Sequence, residues 1–294
     1  MESVYPHRRI DNLSLPPLGF GAMLLSLEGR PDRATAIRSL HTVLDAGVRL
    51  IDTAINYAPS AATLGHNEEL VAEALASWSG DASNVLVVCK GGNLRSDVEQ
   101  YVQDGRPENL RWSCEQSLRS LNVESIGLYF LHAIDPKVPL EESLGALARL
   151  QEEGKIQRIG LSNVGRRHLA LASQQVTVAA VENQLSPFSV NSLPIVDYCE
   201  ENAIAFLAYS PLGGQTRAKN WDSKPAFMKV AAERGVSPQR VALAWALSRS
   251  PAIIPIPAAR RPETILDSLG AANLRLTSEE LVELNEGYAR KMTE

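Results

Sequence analysis

The sequence predicts an α/β fold, a (β/α)8 TIM barrel with an N-terminal β-hairpin and an extra C-terminal helix, on three observations. Short β-branched runs alternate with longer amphipathic segments from one end to the other, eight times without a break. The 294 residues match the usual size of such a barrel carrying one or two added helices. After the first run, Leu18-Gly19-Phe20-Gly21-Ala22 lacks the third glycine of a G-x-G-x-x-G turn, which disfavours a doubly wound open sheet.

Taken in order, residues 7–15 alternate polar and apolar and are expected to form a small hairpin covering the bottom of the barrel. Strands are expected at 18–22, 49–52, 85–89, 126–131, 156–161, 178–183, 204–208 and 253–256. Each run is too short for a typical helix and reads as a strand buried on both faces. Helices are expected at 33–46, 68–78, 108–121, 141–152 and 238–249. Pro31-Asp32 caps the first and Ser237-Pro238 the last of these, while Gly47 and Gly154 end the first and the fourth. Thr277-Ser278-Glu279-Glu280 reads as a capping box that opens a final amphipathic helix over 277–288. No linker rich in Pro, Gly or Ser interrupts the rhythm, so 1–294 is read as one barrel domain.

Composition narrows the function. Lys and Arg number 29 against 34 Asp and Glu, a net charge of −5, and no basic stripe appears, which argues against a nucleic-acid surface. Cys89, Cys114 and Cys199 are odd in number and form no C-x-x-C pair, so reduced thiols are expected and neither a disulfide framework nor a metal site. The first residues lack the layout of a secretory signal, and no apolar run reaches the roughly 20 residues needed to span a bilayer. A soluble cytoplasmic protein without a membrane or nucleic-acid partner is expected, as a monomer or small homo-oligomer.

In a barrel enzyme the chemistry sits at the C-terminal ends of the strands. Those positions hold Asp52, Lys90, His132, Ser162 with Asn163, Gln184, Tyr209, and Arg260 with Arg261. Each alone has a structural explanation: a helix cap, a solvated end, a satisfied core histidine. Seven convergent positions are harder to explain without a site.

Asp52-Thr53-Ala54-Ile55-Asn56-Tyr57, Lys90 after Val87-Val88-Cys89, and Leu131-His132 resemble the catalytic tetrad of the aldo-keto reductases. The resemblance runs from Leu18 to the final helix. It includes Glu153-Gly154-Lys155-Ile156, Leu161-Ser162-Asn163, Tyr209-Ser210-Pro211-Leu212-Gly213 and Ile254-Pro255-Ile256-Pro257. It implies NADPH-dependent (NADP+-forming) reduction of a small carbonyl substrate, an aldehyde or ketone, with Asp52, Tyr57, Lys90 and His132 as the catalytic set and no metal. Tyr57 would give the proton. A free tyrosine, with a pKa near ~10, is a reluctant acid. Lys90, held by Asp52, would lower that pKa, and His132 would donate to the substrate carbonyl.

The same resemblance implies that Ser162, Asn163 and Gln184 hold the nicotinamide carboxamide and that Tyr209 stacks on its ring. Ser210, Pro211, Leu212 and Gly213 would form the pyrophosphate loop. Arg260 and Arg261 would grip the 2′-phosphate, since guanidinium forks suit phosphate. Gly21, Ala22 and Met23 would flank the cofactor, and Asp267 would accept from the adenine amine. The chain departs from the family at Ala258-Ala259, at Asp267-Ser268 and at Thr264, which stands where a stacking arginine is common. Trp221 reads equally as a substrate wall and as an anchor of its loop. Ala22-Met23-Leu24 and the segments 58–66, 91–106 and 214–223 are expected to shape an open substrate site, and within the family the chain looks like the microbial branch that includes pyridoxal reductases. Two competing functions remain: a non-catalytic NADP(H)-binding regulatory subunit, and a phosphate-handling barrel isomerase or aldolase using Lys90 as a Schiff base. The second suits Lys90 poorly, because Asp52 should raise its pKa.

Overall fold

The computed structural model describes residues 3–96, 101–217 and 220–289. The chain opens with β1 (Arg8–Ile10) paired antiparallel to β2 (Leu13–Leu15), the expected hairpin. Then come β3 (Phe20–Gly21), α1 (Arg33–Asp45), β4 (Leu50–Asp52), α2 (His66–Ser77) and β5 (Leu86–Gly91). A second hairpin, β6 (Asn93–Arg95) and β7 (Tyr101–Gln103), leaves the barrel top before α3 (Pro107–Leu121). The regular alternation resumes with β8 (Leu128–Leu131), α4 (Leu140–Glu152), β9 (Ile159–Ser162), α5 (Arg166–Ala172), β10 (Val178–Gln184), α6 (Leu193–Glu201) and β11 (Ala205–Tyr209). Three helices, α7 (Gly214–Arg217), α8 (Pro225–Arg234) and α9 (Pro238–Arg249), precede β12 (Ile253–Pro255), and α10 (Pro262–Leu269) and α11 (Ser278–Ala289) end the described chain.

Among the described residues, eight strands form one parallel sheet in the order β12-β11-β10-β9-β8-β5-β4-β3. The backbone closes this sheet into a barrel: Gly19 N donates to Pro255 O and Gly21 N to Pro257 O, both at 3.0 Å. Inside, the period of two selects one face of each strand. Leu50, Leu86, Val88, Leu128, Phe130, Ala180, Ala205, Leu207, Ile254 and Ile256 fill the interior, sealed below by Ile10 and Leu15 of the hairpin. Gly160 gives Phe130 its room there; a Cβ at that position would lie 2.5 Å from the phenyl ring. A second, larger core lies between strands and helices.

The expected caps form. Asp32 accepts from Thr35 N, Ser237 accepts from Arg240 N, and Thr277 and Glu280 bond reciprocally as a capping box. Gly47 and Gly154 turn through positive φ after α1 and α4. Several strands run further than the alternation suggests. β5 continues to Gly91, β10 to Gln184 and β11 to Tyr209. Of segments 91–106 and 214–223, residues 97–100 and 218–219 lie outside the described residues. Among the described residues no helix is long and apolar enough to cross a membrane.

Candidate active site

Counting by twos up the inward face of each strand shows why polar groups meet at one end. Leu50 leads to Asp52, Val88 to Lys90, Phe130 to His132, Gly160 to Ser162, Ala180 to Glu182 and Leu207 to Tyr209. The registers Glu182↔Ser162 and Gln184↔Tyr209 fix their relative heights. Lys90 is fully buried at the centre. Its Nζ donates to Asp52 Oδ2, to Thr53 O (3.1 Å) and to the Tyr57 hydroxyl (3.3 Å), and lies 3.4 Å from Glu182 Oε1. The Tyr57 and His132 rings meet edge to face, 5.8 Å between centroids. His132 N donates to Gly91 O at 2.8 Å, which holds the ring over the end of β5.

One ammonium thus faces two carboxyl groups. Burial opposes the charge on Lys90, but Asp52, then Glu182 and Tyr57, more than offset it and raise its pKa, so Lys90 stays charged. Burial also raises Asp52 while Lys90 pulls it down, and Glu182 is pushed well above the carboxylate range by burial and by Asp52. Lys90 pairs with Asp52 at closer range than with Glu182, so Glu182 is the carboxyl that keeps a proton. For Tyr57 the outcome departs from the sequence expectation. Burial lifts the phenol above its ordinary value, Lys90 pulls it down, and Asp52 and Glu182 push it up again. The shift is upward because burial, the largest cause, outweighs the pull of the Lys90 charge, which Asp52 already matches. Burial, followed by the Lys90 charge, pushes His132 down to about 3, so its imidazole is neutral at physiological pH.

Above this floor opens a cavity of about 600 Å³. One wall is Ser162, Asn163 and Tyr209: the Tyr209 hydroxyl donates to Asn163 Oδ1 (2.8 Å), and Asn163 Nδ2 donates to His132 O and Ser162 Oγ, each at 3.0 Å. Asn163 makes these bonds from the left-handed region, with φ at 60°. Beyond it Ser210, Pro211, Leu212 and Gly214 continue the lining, and Arg260 ends it. Gly213 makes that loop's turn with φ at 95°; a side chain there would strike Phe188 at 2.6 Å. The opposite wall is Met23, Leu24, Asn56, Asn93 and Tyr101.

A model of the aldo/keto reductase family matches residues 17–289. The chain belongs to that family. It is 30% identical over 282 residues to the Schizosaccharomyces pombe protein described as uncharacterized oxidoreductase C215.11c, covering 95% of this chain and 88% of that one. Among solved structures, the glycerol dehydrogenase AKR11B4 from Gluconobacter oxydans superimposes with a TM-score of 0.82 at 27% identity, over 99% of this chain and 96% of the other. An aldo-keto reductase from Klebsiella pneumoniae, solved in complex with NADPH, gives 0.79 at 26% identity, over 97% and 95%.

The structure of this aldo/keto reductase brings Asp52, Tyr57, Lys90 and His132 together, with Gly21, Met23, Ser162, Asn163, Tyr209, Ser210, Pro211, Leu212 and Arg260 along the same cavity. Others named from the sequence stand apart from the cavity lining. Ala22 is fully buried, its carbonyl accepting from Asn67 Nδ2. Arg261 is exposed at the N-cap of α10, and Asp267 is engaged by Arg240 (2.9 Å) and Ser237 (2.5 Å). Trp221 is a core residue packed on Phe188 and Phe227. Gln184 lies one layer above Ser162, and Glu182 stands at the level of Ser162 instead. Sequence reasoning missed Glu182. The available signal was an acidic residue inside an apolar strand, in phase with Ala180.

Proposed function

We propose that this chain is an NADPH-dependent reductase of aldehydes or ketones in which Tyr57 protonates the carbonyl oxygen. One observation carries the reading: a neutral phenol, 3.3 Å from a buried ammonium, borders a cavity together with a neutral imidazole. NADP and NADPH appear in the names of relatives and structural neighbours. The residues present suit that cofactor. Ser162, Asn163 and Tyr209 offer donors and acceptors for a carboxamide, the Ser210–Gly214 turn brings backbone to the cavity, and buried Arg260 Nε has no partner.

When bound, NADPH supplies the hydride that reduces the carbonyl carbon. The rest falls to the chain. His132, as neutral imidazole, orients the carbonyl oxygen with an N–H. Tyr57 holds its proton in the free site and yields it as negative charge builds on that oxygen. Lys90 then stabilises the phenolate left behind, and Asp52 keeps Lys90 in reach. Tyr57 regains its proton from solvent through the cavity mouth. Met23, Leu24 and Tyr101 supply apolar surface for the substrate and Asn93 a polar group.

The test is NADPH consumption over a panel of aldehydes and ketones, comparing wild type with Tyr57→Phe. Removal of a general acid costs about 10² to 10⁴ in rate. Turnover in wild type, a loss of that size in the variant and unchanged NADPH binding are expected. NADPH binding without turnover on any carbonyl in wild type would sink the reductase reading.

A further inference from the structure

Glu182 is not needed for the chemistry above, yet it is built into the same floor. Its side chain is 4% exposed. Its backbone carbonyl accepts from Ser162 Oγ (2.8 Å) and from Asn163 N (3.0 Å), so it underlies the rim assigned to the nicotinamide. Oε1 lies 3.4 Å from Lys90 Nζ, while Oε2 is buried without a partner in a residue that lines the cavity.

The charges around it decide its state. Asp52 faces it from β4, Tyr57 from the segment after β4, Lys90 from β5 and Tyr209 from β11. His132 at the end of β8 is neutral. Lys90 is the one cation in this set, and Asp52 already matches it. A second carboxylate at Glu182 would be a buried, unmatched negative charge, which explains the proton it keeps. That balance changes when a further cation enters the cavity.

We propose that Glu182 couples this site to the oxidation state of the nicotinamide, releasing its proton to solvent when the positively charged oxidised ring occupies the cavity and keeping it when the neutral reduced ring does. The inference rests on the NADPH reading above. Glu182–COOH becomes Glu182–COO⁻, and the proton leaves to buffer; no electron moves. An opposite charge several ångströms away shifts a carboxyl pKa by about 1–3 units, enough to carry a raised group across neutral pH. The carboxylate then holds NADP+ more tightly as pH rises, favouring alcohol oxidation under alkaline conditions.

Calorimetric titration with NADP+ and with NADPH, in buffers of different ionisation enthalpy near pH ~7.5, counts the protons exchanged on binding. Protonation of the 2′-phosphate, whose second pKa is about 6, contributes equally to both nucleotides and cancels in their difference. Wild type is expected to release roughly half a proton more with NADP+ than with NADPH. In Glu182→Gln this difference disappears, and affinity for NADP+ relative to NADPH falls about tenfold, the equivalent of one pKa unit. Equal proton release with the two nucleotides in wild type overturns the proposal. So does a difference that survives in Glu182→Gln, which assigns the proton to Tyr57. Failure of either nucleotide to bind wild type overturns instead the cofactor reading beneath it.

Discussion

Lys90 is charged inside the barrel because Asp52, Glu182 and the Thr53 carbonyl surround its ammonium, and Tyr57 takes the remaining direction. That enclosure sets what each neighbour can do. In the proposed reaction Tyr57 donates its proton only on demand, since burial keeps that proton in place until substrate charge develops. At the far end of the cavity Arg260 is the residue whose removal should, on the proposed function, separate cofactor choice from catalysis. One of its guanidinium nitrogens is tied to Glu28 O (2.9 Å), while buried Nε has no partner. A charged hydrogen bond contributes about 1.5–3 kcal/mol, so Arg260→Ala should weaken NADPH binding by at least about tenfold. NADH binding should stay nearly unchanged, and fluorescence titration of both cofactors checks the contrast. Equal weakening of both would show that Arg260 does not read the 2′-phosphate.

At the scale of elements, α2, β5 and α3 meet on the outer face of the barrel through a buried polar contact. Cys89 Sγ donates to Glu68 Oε1 (2.5 Å) and lies 3.3 Å from Ser117 Oγ, while Glu68 Oε2 has no partner. Burial, the largest cause, raises the Glu68 carboxyl from 4.5 to about 7. Between those values the folded chain holds a proton that the unfolded chain has lost. Glu68 therefore lowers stability progressively as pH rises through that window. His132 acts in the opposite sense: its pKa is depressed to about 3, so it costs stability at acid pH and stops doing so above about 6.5. Comparing Glu68→Gln with wild type isolates the Glu68 contribution. Urea unfolding at pH ~5 and ~8 should show the variant gaining on wild type by about 2.5 kcal/mol across that interval. A constant difference between the two curves would remove Glu68 as the titrating group.

Across the whole molecule, the hairpin plug and the candidate site occupy opposite ends of one barrel. Ile10 and Leu15 plug the interior below, among Leu50, Leu86, Leu128 and Phe130, while the cavity opens above. Ile10 is fully buried, so Ile10→Ala leaves a void at the bottom and should cost about 2–5 kcal/mol. The kcat of the folded variant should remain within about twofold of wild type, because rigid strands separate the plug from Tyr57. Chemical denaturation and steady-state kinetics on the same preparation test both halves, and a large fall in kcat would show that the bottom of the barrel governs the top.

The sequence by itself determined the alternation of strand and helix, the N-terminal hairpin and the caps at Asp32, Ser237 and Thr277, because each depends on residues within a few positions of one another. It also identified Asp52, Tyr57, Lys90 and His132 as candidates, since short motifs at strand ends carry them. Only the tertiary structure decided the height of each residue in the barrel. Glu182, rather than Gln184, stands level with Ser162 because β9 and β10 pair in that register, which depends on two strands at once. The direction of the Tyr57 shift was likewise beyond local reading. It is a sum over Lys90, Asp52, Glu182 and burial, contributed by three strands and the segment after β4, and electrostatic sums have no signature in any single stretch of chain.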